Sequence, residues 1–408
     1  MHRSLGLACA AAVAAIVLPI SHGLADSLTT LASFSDGTDG AMPLAPLAAD
    51  SHGHLYGTTS QGANGAGTLF EVTPGKKLKT LYAFCSQTGC KDEASPHAGL
   101  ILDSQGNLYG TTYGGGANSS GTVFEATPKG VETVLYSFCS VVKNGHCGDG
   151  SAPLGGVTMD SAGNLYGTTA SGGDNDFGAV FEVAFNGKKG TWTEKTLYSF
   201  CPESGCADGQ APAAGVIMDK AGNLYGTTQL GGAFGQGAVF EINARHKKET
   251  VLYSFCAQSG CADGAEPYAG VIMDKSGNLY GTTKYGGNPN CGNGGGTVFE
   301  LGNKSQESVL YAFCSVEADA DGSYPEAGLV ADKKGNLYGT TTTGGSSSQG
   351  VVFELAGTTE TVLYSFCSTT GCPEFPTAGV IMNKAGDLFG TTSSGGTDGY
   401  GTVFELTP

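Results

Sequence analysis

Tryptophan occurs once, at Trp192, and basic side chains are scarce: 20 lysines and arginines stand against 37 aspartates and glutamates in 408 residues. The resulting net charge of −17 argues against a nucleic-acid partner, which needs a cationic face to meet phosphates. Charged residues of either sign make up only 14% of the chain, and prolines number 15 beside 68 glycines. Aromatic and β-branched residues recur on a schedule, so the composition is neither that of collagen nor that of a disordered linker. Histidines are thinly spread: of seven, the five beyond residue 25, His52, His54, His97, His146 and His246, compose no zinc or catalytic-triad spacing. Past the N-terminus, no apolar run approaches the ~20 residues that a membrane span needs.

The one long apolar stretch is Leu5–Ile20, preceded by His2 and Arg3 and followed by Gly23-Leu24-Ala25. A short basic region, an apolar core and a small-x-small site define a secretory signal, so residues 1–25 are expected to be removed and residues 26–408 to form one domain. Loss of Cys9 leaves 12 of the 13 cysteines, an even number. Cys85/Cys90, Cys201/Cys206, Cys256/Cys261 and Cys367/Cys372 share the spacing Cys-x4-Cys, and Cys139/Cys147 is the same pair with a longer loop. Zinc prefers tighter knuckles and histidine partners, which these pairs lack. Disulfides in a secreted, periplasmic or cell-surface protein are the expectation.

A repeat governs the rest. The motif Leu-Tyr-Gly-Thr-Thr places its aromatic residue at Tyr56, Tyr109, Tyr166, Tyr225, Tyr280, Tyr338 and, as phenylalanine, Phe389, in steps of 53, 57, 59, 55, 58 and 51 residues. Such a period marks small supersecondary units that must stack to bury their faces. Each unit reads as four strands, a to d in chain order; in the fifth they are expected at 269–274, 278–284, 296–301 and 308–314. The a–b turn repeats Asp-x-x-Gly-Asn, as at Asp103–Asn107, where Asp can bond turn amides and Gly can take positive φ. Paired glycines after strand b, such as Gly172-Gly173, precede no helix and no Lys-Ser/Thr, so they are tight connections rather than phosphate loops. Leu28–Phe34 aligns with strand d (Thr133–Phe138), whereas the final Gly401–Leu406 is a strand c. The first residues therefore complete the last unit, which removes two sheet edges. The expected fold is an all-β, seven-bladed propeller of four-stranded antiparallel blades, closed by the N-terminal strand.

The segments Gly-Asn-Leu-Tyr-Gly-Thr-Thr, Gly-Thr-Val-Phe-Glu and Leu-Tyr-Ser-Phe-Cys resemble the tandem repeat of the GloVer-containing exported bacterial proteins. The resemblance covers essentially all of the chain after the leader, and it implies the repeat fold without implying a biochemical activity. Asp-x-x-Gly-Asn-Leu-Tyr is also similar to NHL-type propeller repeats.

A glutamate follows Val-Phe or its equivalent in every unit: Glu71, Glu125, Glu182, Glu241, Glu300, Glu354 and Glu405. A carboxylate in a covered middle strand needs donors, so these residues are read as a per-blade network with the threonines of strand b and the tyrosines of strand d. Chemistry happens at one place, so a functional group should differ between blades. Strand alternation puts the d–a and b–c loops on one rim and the a–b and c–d loops on the other. All 12 cysteines after the leader fall on the first rim, which brings Cys291 and Cys314 together as a sixth bridge. Sixteen of the 19 basic residues after the leader fall on the second. The cysteine rim is acidic, a surface suited to cations.

The reading is a binding or interaction module whose ligand sits on that acidic rim; the candidate residues are Asp149, Asp208, Asp263, Glu317, Asp319, Asp321, His97 and His146. No cofactor is required, although calcium is an ion that the Glu317–Asp321 oxygens would take; no EF-hand-like loop accompanies them. The partner would be an extracellular protein, peptide or carbohydrate. The alternatives are a propeller lyase, lactonase or glycosidase, or a carbohydrate binder using the rim tyrosines Tyr268, Tyr285, Tyr324 and Tyr400, since Trp192 lies in a hairpin on the lysine rim. No motif commits the chain to catalysis, and the reading leans against it.

Overall fold

The computed structural model describes residues 27–245, 248–303 and 305–408. The expected leader, with Cys9, and His246, Lys247 and Lys304 lie outside the described residues. Seven four-stranded antiparallel sheets follow one another as the blades of a propeller. In the seventh, Ser27–Ser33 pairs with Thr402–Thr407, with Leu28 opposite Leu406 and Ser33 opposite Thr402, and the Phe34 amide donates to the Gly401 carbonyl at 3.0 Å. The closing strand is thus the N-terminal one. Among the described residues, no helix is long and apolar enough to cross a membrane.

Strand a is shorter than the sequence implies. In the fifth blade only Ile272–Met273 pairs, followed by Leu279–Thr283, Thr297–Gly302 and Gln306–Ala312. The residues before it line the centre of the ring, where their carbonyls bond a neighbouring blade instead of a strand.

The packing explains the repeated motif residue by residue. Its glycine lies opposite the phenylalanine of strand c, as Gly226 does Phe240 and Gly281 does Phe299. A Cβ at Gly226 would stand 2.6 Å from Phe240 Cζ. Only a residue without a side chain leaves room for that ring. The ring in turn meets, edge to face, a phenylalanine from strand d of the preceding blade. Phe34–Phe70, Phe84–Phe124, Phe138–Phe181, Phe200–Phe240, Phe255–Phe299, Phe313–Phe353 and Phe366–Phe404 all have centroids 5.0 to 5.6 Å apart. All fourteen rings are fully buried, and the pairs sit in hydrophobic clusters shared between adjacent blades. Aromatic pairs of this geometry add about 0.5–1.5 kcal/mol beyond their buried area.

The first threonine of the motif reaches the next blade. Thr168 Oγ1 donates to the Ala214 carbonyl at 2.7 Å, Thr227 to Ala269 at 2.8 Å and Thr340 to Ala378 at 2.9 Å; Thr391 to Ala45 at 3.3 Å closes the circle. The second threonine pairs with a strand c threonine, as Thr112 with Thr122 and Thr283 with Thr297, both at 2.8 Å. Where strand c carries alanine instead, opposite Thr169 and Thr228, the threonine hydroxyl is buried without a partner.

The polar network differs from the expected one. The tyrosine that meets the repeated glutamate comes from strand b, not strand d: Tyr109 Oη donates to Glu125 at 3.2 Å and Tyr338 to Glu354 at 2.8 Å. Strand b and strand c pair with Tyr opposite Glu, so the two groups share one face by register. The same tyrosine also reaches the a–b turn aspartate, as Tyr166 does Asp160 at 3.1 Å. That aspartate accepts the expected turn amides: Asp103 Oδ1 receives Gln105 N and Asn107 N, each at 2.8 Å. In the first blade His54 takes part, with its Nδ1 at 2.5 Å from Glu71.

Two substitutions test this account. Gly226→Ala forces the Phe240 ring out of place and is expected to destabilise the domain by about 2 kcal/mol or more in urea denaturation. Ala238→Thr supplies the missing partner of Thr228 and is expected to stabilise by about 0.5–1.5 kcal/mol. A neutral result for the first would show that the ring does not depend on the glycine.

Candidate functional site at the channel mouth

All six expected disulfides form: Cys85–Cys90, Cys139–Cys147, Cys201–Cys206, Cys256–Cys261, Cys291–Cys314 and Cys367–Cys372. They share one rim because the d–a loop of each blade pairs with the start of its b–c loop, as Ala94 with Gly114 and Ala265 with Tyr285.

Most of the acids singled out on this rim face inward. Asp149, Asp263 and Asp321 are buried, and Asp208 is half-buried. Each accepts the hydroxyl of the strand d tyrosine and amides of its own loop. Asp263 receives Tyr253 Oη at 2.8 Å, Ala257 N at 2.9 Å and Gln258 N at 3.1 Å. Asp321 receives Tyr311 Oη at 2.8 Å and Ser315 N at 2.9 Å, Asp149 receives Tyr136 Oη at 2.6 Å, and Asp208 receives Tyr198 Oη at 2.8 Å. These carboxylates shape the disulfide loops and are not open to a ligand. Glu317 is exposed, and Asp319 lies against the Cys291–Cys314 bridge. The Cys291, Cys314 and Asp319 atoms form the one close group of three metal-type ligands among the described residues, but both sulfurs are consumed by the disulfide. The calcium idea therefore finds no converging carboxylates there. His146 sits on the exposed hairpin formed by Val142–Lys143 and His146–Cys147, 3.2 Å from Asp176, while His97 lines the channel; the two are not one site.

A second carboxyl set stands between blades. Glu194, Glu249, Glu307 and Glu360 at the start of strand d have pKa values pushed up to about 7, first by burial and then by the negative Asp149, Asp208, Asp263 and Asp321 of the preceding loops. Glu132 is raised likewise by burial and Asp92. The sixth blade lacks the loop aspartate, and Leu28 replaces the glutamate in the seventh. Acid and partner therefore disappear together at that junction.

Function has to reside where the repeat breaks. Each d–a loop ends in a proline followed by a variable residue and, in six of the seven, two small ones, as in Pro96-His97-Ala98-Gly99, Pro267-Tyr268-Ala269-Gly270 and Pro325-Glu326-Ala327-Gly328; the first unit has Pro43-Leu44-Ala45-Pro46. The residue before the proline always has positive φ, between 53° and 59°: Met42, Ser95, Ala152, Ala211, Glu266, Tyr324 and Phe375. Its amide donates to the b–c loop of the preceding blade, as Tyr324 N to the Gly295 carbonyl at 2.7 Å, and its carbonyl accepts from the end of its own strand b, as Glu266 O from Lys284 N at 3.1 Å. The loop is thereby fixed between two blades, and the backbones touch: a Cβ on Gly155 would stand 2.1 Å from Gly215 N. The variable position holds Leu44, His97, Leu154, Ala213, Tyr268, Glu326 and Thr377, which ring a cavity of about 400 Å³.

That ring is lopsided. At the blades with Tyr268 and Glu326, Lys284 Nζ binds Glu326 Oε1 at 2.8 Å and lies 5.8 Å from the Tyr268 ring and 5.2 Å from the Tyr285 ring. Tyr285 packs edge to face on Tyr324 at 5.6 Å, and Gln229 Nε2 donates to Glu266 at 3.2 Å. Lys284 and Glu326 are only about one quarter exposed. Burial opposes the lysine's charge, but Glu326 and Tyr285 outweigh it and raise its pKa. Burial and Glu326 raise the Tyr268 hydroxyl too. Across the mouth His97 puts Nδ1 2.9 Å from the Ser95 carbonyl and its ring 5.5 Å from Tyr113. Sequence reasoning placed His97 here and named the tyrosines, but it missed Lys284 and Glu326. The signal was the residue after each loop proline, a position that varies between units beside a proline present in all seven.

The Gloeobacter/Verrucomicrobia repeat matches residues 21–147, 139–320 and 293–408. The chain belongs to that repeat family. Among curated proteins, none matches it. Solved structures similar to this repeat protein include a putative 6-phosphogluconolactonase from Bacteroides uniformis, 11% identical, with 78% of this chain and 83% of that one aligned at a TM-score of 0.49. A gluconolactonase from Xanthomonas campestris is 14% identical, with 93% and 89% aligned at 0.41. At these values neither likeness bears on the chemistry of the repeat protein.

The pH dependence of stability follows from the interblade acids. Their folded pKa values exceed the unfolded ones, so their contribution is complete below the ordinary glutamate range and fades as pH rises through about 7. The turn aspartates work in the opposite sense. Burial works against their charge, but amide and hydroxyl donors hold Asp103, Asp160 and Asp219 below the usual range, so that term is lost only in strong acid. Tm should therefore be higher at pH 5.5 than at pH 8.5, and Glu249→Gln with Glu307→Gln should flatten the alkaline decline. A Tm that rises steadily toward pH 8.5 would contradict the assignment.

Proposed function

We propose that the protein is an exported, disulfide-braced binding module whose ligand seats in the channel mouth on the cysteine rim, against Tyr268, Lys284 and Glu326. Six disulfides favour an oxidising, extracytoplasmic setting, and the N-terminal leader read from the sequence would deliver a secreted, periplasmic or surface protein. The observation that carries the site is the break in seven-fold uniformity: among the described residues, one sector of the mouth collects a half-buried ion pair and three tyrosines, of which Glu326 and Tyr268 line the preformed cavity. A preformed cavity with a few placed polar groups is how small-ligand sites are built, and rigid loops lower the ordering cost of binding.

The test is a thermal-shift screen of monosaccharides, amino acids and short peptides on the full chain. Stabilising compounds are expected to lose their effect in Tyr268→Ala and Glu326→Gln and to keep it in Lys129→Ala on the opposite rim. Compounds that respond only to Lys129→Ala would move the site to the other face and end this reading. One observation favours a catalytic reading second: the contact with Ser95 puts the His97 proton on Nδ1, leaving Nε2 to accept one from a bound molecule. Turnover of a lactone or glycoside that His97→Gln abolishes, with binding retained, would establish it.

A further inference from the structure

The mouth is not the whole of the concave surface. A second cavity, about 690 Å³, opens on the same rim between the loops of the fourth and fifth blades; Gln236, Glu266, Tyr285, Asn288 and Asn293 are among its walls. Tyr285 and Glu266 of this second cavity neighbour the mouth: Lys284 contacts both the Tyr268 and Tyr285 rings, and Glu266 is two residues from Tyr268 in the chain. The outer wall of the groove is the b–c loop of the fifth blade, the one b–c loop that carries a cysteine. Cys291 ties it to Cys314 at the end of strand d, whereas the other five bridges each close a d–a loop on itself. Hydrogen bonds hold the loop as well: Asn288 Nδ2 donates to the Cys314 carbonyl at 2.7 Å, and within the loop Gly286 N donates to the Asn293 carbonyl at 3.0 Å.

We infer that mouth and groove form one elongated site for a segment of a neutral, linear polysaccharide, with one sugar at Tyr268 and Glu326 and the following units lying outward over Tyr285 between Gln236 and Asn293. This rests on the channel-mouth reading above. The chemistry of the walls selects the class. Side-chain amides, a carboxylate and a tyrosine face are matched by hydroxyl-rich rings that present an apolar face and polar edges. A peptide would call for apolar side-chain pockets or a free strand edge, and the groove walls are loop residues, mostly glycine and side-chain amide. The acidic rim disfavours an anionic polymer. The Cys291–Cys314 bridge then serves binding, because it fixes the wall that the outer sugars touch.

The experiment measures binding of cello-, xylo-, malto- and chito-oligosaccharides, from monosaccharide to hexasaccharide, to the full chain by calorimetry. For one series, affinity should tighten by about ten-fold or more with length and then level off, the equivalent of one or two added hydrogen bonds. Asn293→Ala and the double variant Cys291→Ser with Cys314→Ser should remove that gain and leave monosaccharide binding unchanged. Tyr268→Ala should weaken every length. Equal affinity at all lengths, with Tyr268→Ala still effective, would overturn the groove alone and leave the mouth standing. Failure of every sugar to bind, while amino acids or peptides bind in a Tyr268-dependent way, would also overturn it. Failure of every probe would overturn both.

Discussion

The structure hangs on a missing Cβ. A glycine in strand b leaves a hole that the phenylalanine of strand c fills, and that ring then meets a phenylalanine from the blade before it. The contact occurs at every junction, including the one where Phe34 meets Phe70 across the ends of the chain. A single blade has no way to bury both faces, so each is stable only between neighbours. The ring closes because the last junction is chemically the same as the others.

Because that contact repeats, so do the groups around it. Thr-Thr joins a blade to the next strand a and to its own strand c, Tyr and Glu are brought face to face by strand register, and the turn aspartate collects amides. These roles account for the repeated residues and leave them without further work. Chemistry specific to one place is left to positions the scaffold holds but does not use. The residue after each loop proline is such a position: its backbone is fixed by bonds to two blades, and its side chain is aimed at the channel without a structural task. Variation there costs the fold little, which is why a leucine, a histidine, a tyrosine and a glutamate can occupy equivalent places.

The acids divide by the same logic. Those that recur, Asp149, Asp208, Asp263 and Asp321, are absorbed into the loops and hold the strand d tyrosines. Their negative charge is felt by the glutamates of the following blades, so the interfaces carry titrating groups near neutrality. Glu326 does not recur in this way. It meets a lysine in a partly dry pocket, where an ion pair is screened less than on open surface.

Period and alternation were enough to read the architecture. Six copies of Leu-Tyr-Gly-Thr-Thr and one of Leu-Phe-Gly-Thr-Thr, a leading strand d and a trailing strand c determine blade number, closure and the rim of every loop, and with the rim came the unusual Cys291–Cys314 pairing. Those properties are local or periodic, and a linear string records them fully. The burial of an aspartate is different. Asp263 and Glu326 both sit in acidic d–a loops on one rim, and only the folded loop shows that the first turns inward to Tyr253 while the second turns to the channel and Lys284. The meeting of Tyr268, Lys284, Tyr285 and Tyr324 likewise joins the ends of different strands and loops in two neighbouring blades, a proximity set by the packing of adjacent blades and by backbone held at positive φ. Periodicity was enough for the frame; which side chains face the channel depends on packing between blades, because solvent exposure belongs to the assembled ring and not to any one repeat.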